Sequence, residues 1–338
     1  MSDASFVTVM IPMRNEAAWI EKCLEGVLAQ DWPRDRMEVI VVDGMSDDRS
    51  YEILTSLAAR DTRIRVLRNP ARIVPSSLNR AIEAARGDVI ARVDAHTLLD
   101  RDYLSVGVDT LARTGAHNVG GPMVSIGGGK VGDAVATAMA SRFGIGAYFH
   151  FASEERDVDT VYMGMWPRKV FADVGLFDEE LVRNQDDEFN YRIRKNGGRI
   201  VVSPRMRSRY QNRQSWRKLA KQFYQYGFWK VRVLQKHPAQ MSVRHFVPPA
   251  FDAAILVALA AGGGARTLAV AALAVYFVFM SAVAARIGHT GTRLRTLLAL
   301  IIIHHAWALG FLAGLLRFAA RWFKPERPAR RLAGAEGR

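Results

Sequence analysis

Two short acidic runs and one acid–imidazole pair hold the residues best suited to chemistry. Arg92-Val93-Asp94-Ala95-His96 sets a carboxylate and an imidazole two positions apart. At a strand end both reach one divalent ion, and an oxygen-plus-imidazole set suits Mn²⁺ as well as Mg²⁺. Such an ion would bridge a diphosphate and neutralise it as a leaving group; the alternative for His96 is a hydrogen-bonded histidine without a ligand. Asn184-Gln185-Asp186-Asp187-Glu188 opens a helix with three consecutive acids. The helix dipole stabilises carboxylates there, which is a structural role. A carboxylate held at a helix start beside a cleft is also well placed as a general base. In Val41-Val42-Asp43-Gly44-Met45-Ser46-Asp47-Asp48 the first acid ends a strand. There it can accept a hydrogen bond from a nucleobase N–H or a ribose hydroxyl. Asp48 serves that same pocket or the first turn of the next helix.

These residues need a scaffold that brings strand ends together, and the hydropathy pattern provides one. Phe6–Ile11 is a buried strand ended by Pro12, and Pro12-Met13-Arg14-Asn15-Glu16 follows it. Glu16–Leu28 has helical spacing, Glu38–Asp43 is a second strand, and a helix follows near Ser50–Arg60. Ile64–Leu67 is a third strand, 75–86 a helix and Asp88–Asp94 a fourth strand. Alternating strands and helices specify an α/β domain with a mostly parallel sheet. Ligands of such sheets bind beyond the carboxyl ends of the strands, where Asn15/Glu16, Asp43 and Asp94 fall. Residues 133–150 read as a loosely apolar helix or a mobile loop, and 168–200 as helix, turn, helix.

The charge is divided along the chain. Residues 1–188 carry 21 Lys/Arg against 30 Asp/Glu, whereas 189–338 carry 26 against 3. Stretch 189–246 has 15 basic residues and no acidic one, directly before long apolar runs. An acidic N-terminal half argues against a phosphate-backbone binder, so no nucleic-acid partner is expected. The basic stretch reads as a juxtamembrane segment facing anionic lipid. Trp216, Leu219, Phe223 and Tyr226, with Arg217, Lys218, Lys221 and Lys230 between them, form a basic amphipathic helix over 215–236. It suits a membrane interface, or else a surface of the globular domain.

Residues 267–285 and 296–316 are long enough to span a bilayer. The shorter 247–262 is interrupted by Gly262-Gly263-Gly264, and the positive-inside rule favours two spans with a re-entrant or interfacial first segment. His304 and His305, inside the last span, are either functional or helix-packing residues. Met1-Ser2-Asp3 is not basic and the first apolar run is too short for a signal peptide, so the N-terminal half is expected in the cytosol. The single cysteine, Cys23, excludes an intramolecular disulfide and a Cys-based zinc site. The expected organisation is a catalytic domain over 1–212, basic interface helices over 213–246, transmembrane or re-entrant helices over 247–318 and a basic tail over 319–338.

Taken in chain order, the four clusters resemble family 2 glycosyltransferases over roughly residues 5–210. Asn69-Pro70-Ala71-Arg72, Ser77-Leu78-Asn79, Gly87-Asp88 and Asp94-Ala95-His96 look most like the succinoglycan-type exopolysaccharide branch. The resemblance implies a GT-A fold, a Rossmann-like mixed and mostly parallel sheet, followed by a helical membrane region. It implies a nucleotide-sugar pocket lined by Pro12, Asn15, Glu16, Asp43, Asp48, Arg72, Asn79 and Asp94, with Asp43 reading uracil. Asp94 and His96 match the Asp-x-Asp position that handles ribose and a metal-bound diphosphate. His96 stands where the second Asp is usual, which leaves the ion as Mn²⁺ or Mg²⁺. Gln185-Asp186-Asp187-Glu188 matches the acceptor-side Glu-Asp-x-Asp, with Asp186 as base and Asp187 as its rival. Trp166, in Met163-Gly164-Met165-Trp166, is either an acceptor wall that stacks on a sugar or core filler. The Gln-x-x-Arg-Trp signature of processive synthases is absent, since Gln214-Ser215-Trp216-Arg217 has another order.

The implied reaction is inverting, metal-dependent transfer of one sugar, from a UDP-hexose with UDP-glucose foremost, to a lipid-linked oligosaccharide. It would take place at the cytoplasmic face of the inner membrane, among membrane lipids. A glycolipid synthase, a polyprenyl-phosphate sugar synthase and a catalytically silent nucleotide-sugar-binding partner are the alternatives.

Overall fold

The computed structural model describes residues 5–144, 152–212, 214–324, 326 and 329–332. Parts of three expectations lie outside them: the N-terminal Met1-Ser2-Asp3, the end of the 133–150 segment, and Arg327 and Arg338 of the tail. The chain forms two compact units. The first holds the described residues up to Val124, those of 147–210 and those of 328–338; the second holds those of 125–146 and 211–327.

In the first unit the chain runs β1 (Val7–Met13), α1 (Ile20–Leu28), β2 (Met37–Asp43), α2 (Ser50–Ala58), β3 (Ile64–Arg68), α3 (Val74–Ala84) and β4 (Val89–Arg92). Then come β5 (Thr97–Leu99), α4 (Tyr103–Thr114) and β6 (Asn118–Gly121). β7 (Met123–Ile126) leads into the second unit, where α5 (Gly129–Met139) follows. After it come β8 (Arg156–Asp157), β9 (Tyr162–Pro167), α6 (Lys169–Asp173), α7 (Gln185–Lys195), β10 (Ile200–Val202) and β11 (Ser208–Gln211). Eight strands pair in the order β3-β2-β1-β4-β9-β6-β10-β8. The first four in that order run parallel, and β9 lies antiparallel between β4 and β6. β5 pairs antiparallel with β11 outside this sheet.

Both faces of the sheet are covered, as near-continuous apolar strands require. Val7, Val9 and Ile11 of β1 join one core with Val39 and Val41 of β2, while Met10, Ile40 and Val42 join the other. This is the two-residue alternation of a strand. α1 buries Ile20, Cys23, Leu24 and Val27, one helical stripe.

Two boundaries differ from expectation for local reasons. β1 continues through Pro12 to Met13. β4 pairs with β1 only as far as Met10, and Met10 O accepts Val93 N–H on that side. Pro12 has the same parity, so its missing N–H points where the ladder has already ended. α1 begins at Ile20 because Glu16 O accepts both Trp19 N–H and Ile20 N–H at 2.9 Å, making 16–19 a turn.

The second unit holds α5, α8 (Trp216–Lys236), α9 (Val243–Ala261), α10 (Gly263–Ile287), α11 (Arg293–Arg317) and a short 3₁₀ turn, Ala319–Phe323. Three of its helices, α9 to α11, are long and apolar enough to cross a membrane. The first apolar segment, expected to be short or re-entrant, is a continuous helix of 19 residues. At 1.5 Å per residue it is about 28 Å long, close to a bilayer core. It ends at Gly262 and Gly263, whose φ of +74° and +53° favour glycine.

Side chains halfway along these helices meet. His305 Nδ1 lies 2.9 Å from Asp252 Oδ1, and Tyr276 Oη lies 3.0 Å from His304 Nδ1. Both histidines therefore hydrogen-bond across helices.

α8 packs closely on α11. The spacing Gly310-Phe311-Leu312-Ala313-Gly314 lets backbones approach, as small residues do between membrane helices. A Cβ at Gly310 would run into Tyr224 O, and one at Gly314 would sit 2.6 Å from Phe228 O. Gly310→Leu is expected to cost at least about 1–3 kcal/mol by overpacking. A thermal melt of the detergent-solubilised protein checks this. One of the basic residues expected on the polar side of α8 behaves otherwise: Lys230 is buried. Arg232 and Lys236 are turned inward too, each 3.0 Å from Glu326 Oε2. In the first unit Arg330, from the basic tail, packs on the globular fold. Arg330 Nη2 pairs with Glu83 at 2.7 Å and Arg330 O accepts Leu176 N–H.

Candidate active site

The loops after β1, β2 and β4 are cross-tied at the carboxyl edge of the sheet. Asn15 adopts φ +57°, and its N–H donates to Ser46 Oγ at 3.0 Å while its Oδ1 accepts Asp47 N–H at 3.0 Å. Glu16 N–H donates to Ser50 Oγ at 2.7 Å. Asp48 accepts Ser50 N–H at 2.9 Å, Ser50 Oγ–H at 2.5 Å and Ala17 N–H at 3.3 Å. Partial burial pushes the Asp48 carboxyl up, but these donors outweigh it and leave it below the usual carboxylate range. Asp48 thus holds the first N–H of α2 and ties that helix to the first loop. Asp43 is fully buried at the end of β2. It accepts Ser46 N–H at 3.1 Å and faces Arg68 Nη2 at 3.7 Å.

Past β4 the acid–imidazole pair divides its contacts. His96 Nδ1 lies 3.0 Å from Glu16 Oε1. With the proton on Nδ1 this leaves Nε2 as the free ring nitrogen. Asp94 Oδ1 accepts Arg92 Nε–H at 2.9 Å, and its Oδ2 accepts Tyr162 Oη–H at 3.4 Å. Burial works against an ionised Asp94, but the Arg92 guanidinium, His96 and the Tyr162 hydroxyl hold its carboxyl below the usual range. On the other side of Arg92 lies Asp186, with Oδ2 at 3.7 Å from Nη1. Asp186 starts α7, its Oδ1 accepts Asp187 N–H at 2.9 Å, and its side chain is 42% exposed. The edge of the sheet thus brings Glu16, His96, Asp94 and Asp186 into one chain of contacts.

Three residues in this chain were not singled out in the sequence. Arg92 stands two positions before Asp94, on the same side of the strand, and that spacing was its only signal. Tyr162 Oη also bonds Thr97 Oγ1 at 2.8 Å, and its ring meets that of Tyr210 at 5.9 Å. Tyr210 meets His96 edge-on at 5.2 Å. A register shift between β6 and β9, with φ of +60° at Met163 and +101° at Gly164, re-aims the strand here. Such bulges are common next to active sites.

Of the two readings of Trp166, acceptor wall or core filler, its burial fits the second. Trp166 is 1% exposed and packs against Phe171, Phe177 and Phe189, so no sugar face reaches it. Trp166→Ala is expected to cost about 3–5 kcal/mol of stability, measured by denaturant unfolding. Asn79 is also buried. It donates to Phe177 O and Glu179 Oε1 and accepts Phe177 N–H, each at 2.9 Å, so its amide is occupied inside the fold and does not line a nucleotide pocket. Asn69 is architectural in the same way, donating to Ile73 O and Ser77 Oγ at 2.9 Å to fasten β3 to α3. Arg72 is exposed in the turn that follows, at φ +59°, beside the end of β2, where Asn69 N–H bonds Asp43 O.

The chain is similar to proteins of known class. The family model for glycosyl transferase family 2 matches residues 8–175, which takes in the three strand-end loops and stops short of α7. The succinoglycan biosynthesis protein ExoA of Rhizobium meliloti (strain 1021) is 30% identical over 333 residues, 93% of this chain and 96% of its own. The chain belongs to glycosyltransferase family 2. A second relative of this family-2 enzyme is 28% identical over 240 residues, 69% of this chain and 75% of the other. It is the dolichyl N-acetyl-alpha-D-glucosaminyl phosphate 3-beta-D-2,3-diacetamido-2,3-dideoxy-beta-D-glucuronosyltransferase of Methanococcus voltae. The mannosyltransferase PcManGT of Pyrobaculum calidifontis, solved with GDP-Man and Mn²⁺, superposes with a TM-score of 0.61. The match covers 91% of this chain and 87% of that one at 22% identity, and it establishes the GT-A-like fold. This family-2 chain is a glycosyltransferase.

Proposed function

We propose that this glycosyltransferase moves one sugar from a UDP-hexose, UDP-glucose foremost, to a lipid-linked oligosaccharide in polysaccharide biosynthesis, with inversion and with a divalent ion. The observation that carries this reading is the gathering of Asp94, His96 and Asp186 at one sheet edge, Asp186 with its carboxylate open to solvent. Asp186 takes the proton of an acceptor hydroxyl. The hydroxyl oxygen then forms a bond to the anomeric carbon as the bond to the nucleoside diphosphate breaks on the opposite face. Asp187, next in the same helix turn, is the rival base. Asp43, Pro12, Asn15 and Arg72 contribute the nucleotide side, with Asp43 toward the base.

The ion's residues are Asp94 and His96. Among the described residues no group of three or more His, Cys, Asp or Glu is arranged to hold a metal, so the protein supplies a partial set. A partial set is what Mg²⁺-type sites use when substrate phosphates complete the shell. The fit rests on Glu16, which bonds Nδ1 of His96 and presents Nε2, the arrangement metal-binding histidines adopt. When bound, the ion would offset the charge of the departing diphosphate. Glu16→Gln is expected to lower cation affinity by about 10–100-fold, read from the Mn²⁺ dependence of nucleotide binding.

Helices α9 to α11 support a membrane protein, where a lipid-linked acceptor diffuses. The two relatives, one a protein of succinoglycan biosynthesis and one acting on a dolichyl-phosphate sugar, favour a lipid-linked acceptor. We place the catalytic unit at the cytoplasmic face of the inner membrane. Labelled UDP-glucose, membranes holding the protein and a lipid-linked glycan extract test the reading. Label in a diphosphate-linked oligosaccharide supports it; label in a glycosyl-diacylglycerol or a sugar monophosphate lipid assigns one of the alternatives.

A further inference from the structure

Arg92 occupies a position in this site that the proposed reaction does not yet use. Its side chain is 9% exposed and lies between two carboxylates. Nε–H donates to Asp94 Oδ1 at 2.9 Å. Nη1 lies 3.7 Å from Asp186 Oδ2, near enough for charge attraction but beyond hydrogen-bond reach. That same nitrogen is enclosed and has no hydrogen-bond partner among the described residues. Buried guanidinium N–H groups are almost always paired, so an orphan of this kind points to a partner that arrives in another state of the site. Asp186 Oδ2, 3.7 Å away, is the carboxylate oxygen that faces it.

We propose that Arg92 is the positioning residue of the base: one planar fork holds Asp94 through Nε and aims Asp186 through Nη1. The proposal rests on Asp186 being the base. Asp186 Oδ1 is already fixed by Asp187 N–H at 2.9 Å. With Nη1 on Oδ2, both oxygens are oriented, and the lone pairs on the exposed side are left for the acceptor hydroxyl. The fork thereby couples the donor-side carboxylate to the acceptor-side one. A lysine at this position carries the charge but is a single point and does not serve two carboxylates at once.

The test uses the full chain in membranes, with Arg92→Lys, Arg92→Met, Asp186→Asn and the Arg92→Met/Asp186→Asn double variant. UDP binding and turnover are measured separately, and thermal melts identify any variant that fails to fold. Arg92→Lys is expected to bind UDP within about threefold of the parent while turnover falls about 100-fold, the scale of a 1 Å misplacement. In the Asp186→Asn background Arg92→Met is expected to lower the residual turnover by a clearly smaller factor than in the parent, because only the part of its effect that passes through Asp94 remains. Turnover of Arg92→Lys within threefold of the parent, with Asp186→Asn inactive, overturns the proposal alone. So does an equal loss from Arg92→Met in both backgrounds. Near-parental turnover of Asp186→Asn overturns the base assignment and this proposal with it.

Discussion

Asp186→Asn should lower transfer by about 10²–10⁴-fold while nucleotide binding stays near the parental level, the range general-base removal typically spans. The amide keeps the shape of the carboxylate and its place at the start of α7, so the fold has no reason to change. What disappears is the lone pair that takes the acceptor proton and the charge opposite Arg92. The measurement is turnover at saturating donor, paired with a direct titration of the nucleoside diphosphate. Loss of both together would mean that Asp186 belongs to the donor site.

Asp94→Ala should do the reverse. Removing this carboxylate takes away the one anionic protein ligand proposed for the cation and strips Arg92 Nε of its partner. Changes one shell further out commonly cost about 10–100-fold in metal affinity, so a lost ligand should cost at least about 100-fold. Donor binding should lose its dependence on Mn²⁺ or Mg²⁺, and turnover should fall with it. The low-lying acidity of Asp94 adds a pH corollary. A carboxyl held below its usual range contributes above that range and loses its contribution as the pH falls through the lowered value. Donor binding should thus stay insensitive to Asp94 protonation at any mildly acidic pH. Parental cation dependence in Asp94→Ala would contradict the assignment.

The fold was legible because its signals are periodic. Alternating strands and helices over residues 6–94 specify a parallel sheet, and the strand ends carry the acids. That logic proposes Asp94, His96 and Glu16 as strand-end candidates, although the contact between Glu16 and His96 joins residues 80 positions apart and has no local signature. Trp166, open between acceptor wall and core filler in the sequence, is core filler for a local reason. Trp166 alternates correctly for a regular strand, but the irregularity at Met163 and Gly164 turns Tyr162 toward Asp94 and sends Trp166 inward. Asn79 looked like a ligand residue within a branch motif; its amide instead satisfies the backbone at Phe177, 98 positions away. Lys230 reads as one of the basic residues of an interface or surface helix, but side-chain packing within the second unit buries it. Charge and spacing name candidate groups; which of them pair depends on long-range packing.

The most direct test of the central claim is release of nucleoside diphosphate from membranes containing this chain. The assay needs Mn²⁺ or Mg²⁺, a panel of nucleotide sugars and a polyprenyl-linked glycan extract, with Asp186→Asn as control. The account predicts release from one donor, UDP-glucose first, dependent on the lipid acceptor and lost in the variant. Donor binding with no release above the variant, across the whole panel, would contradict it and indicate a nucleotide-sugar-binding protein that does not carry out transfer to these acceptors.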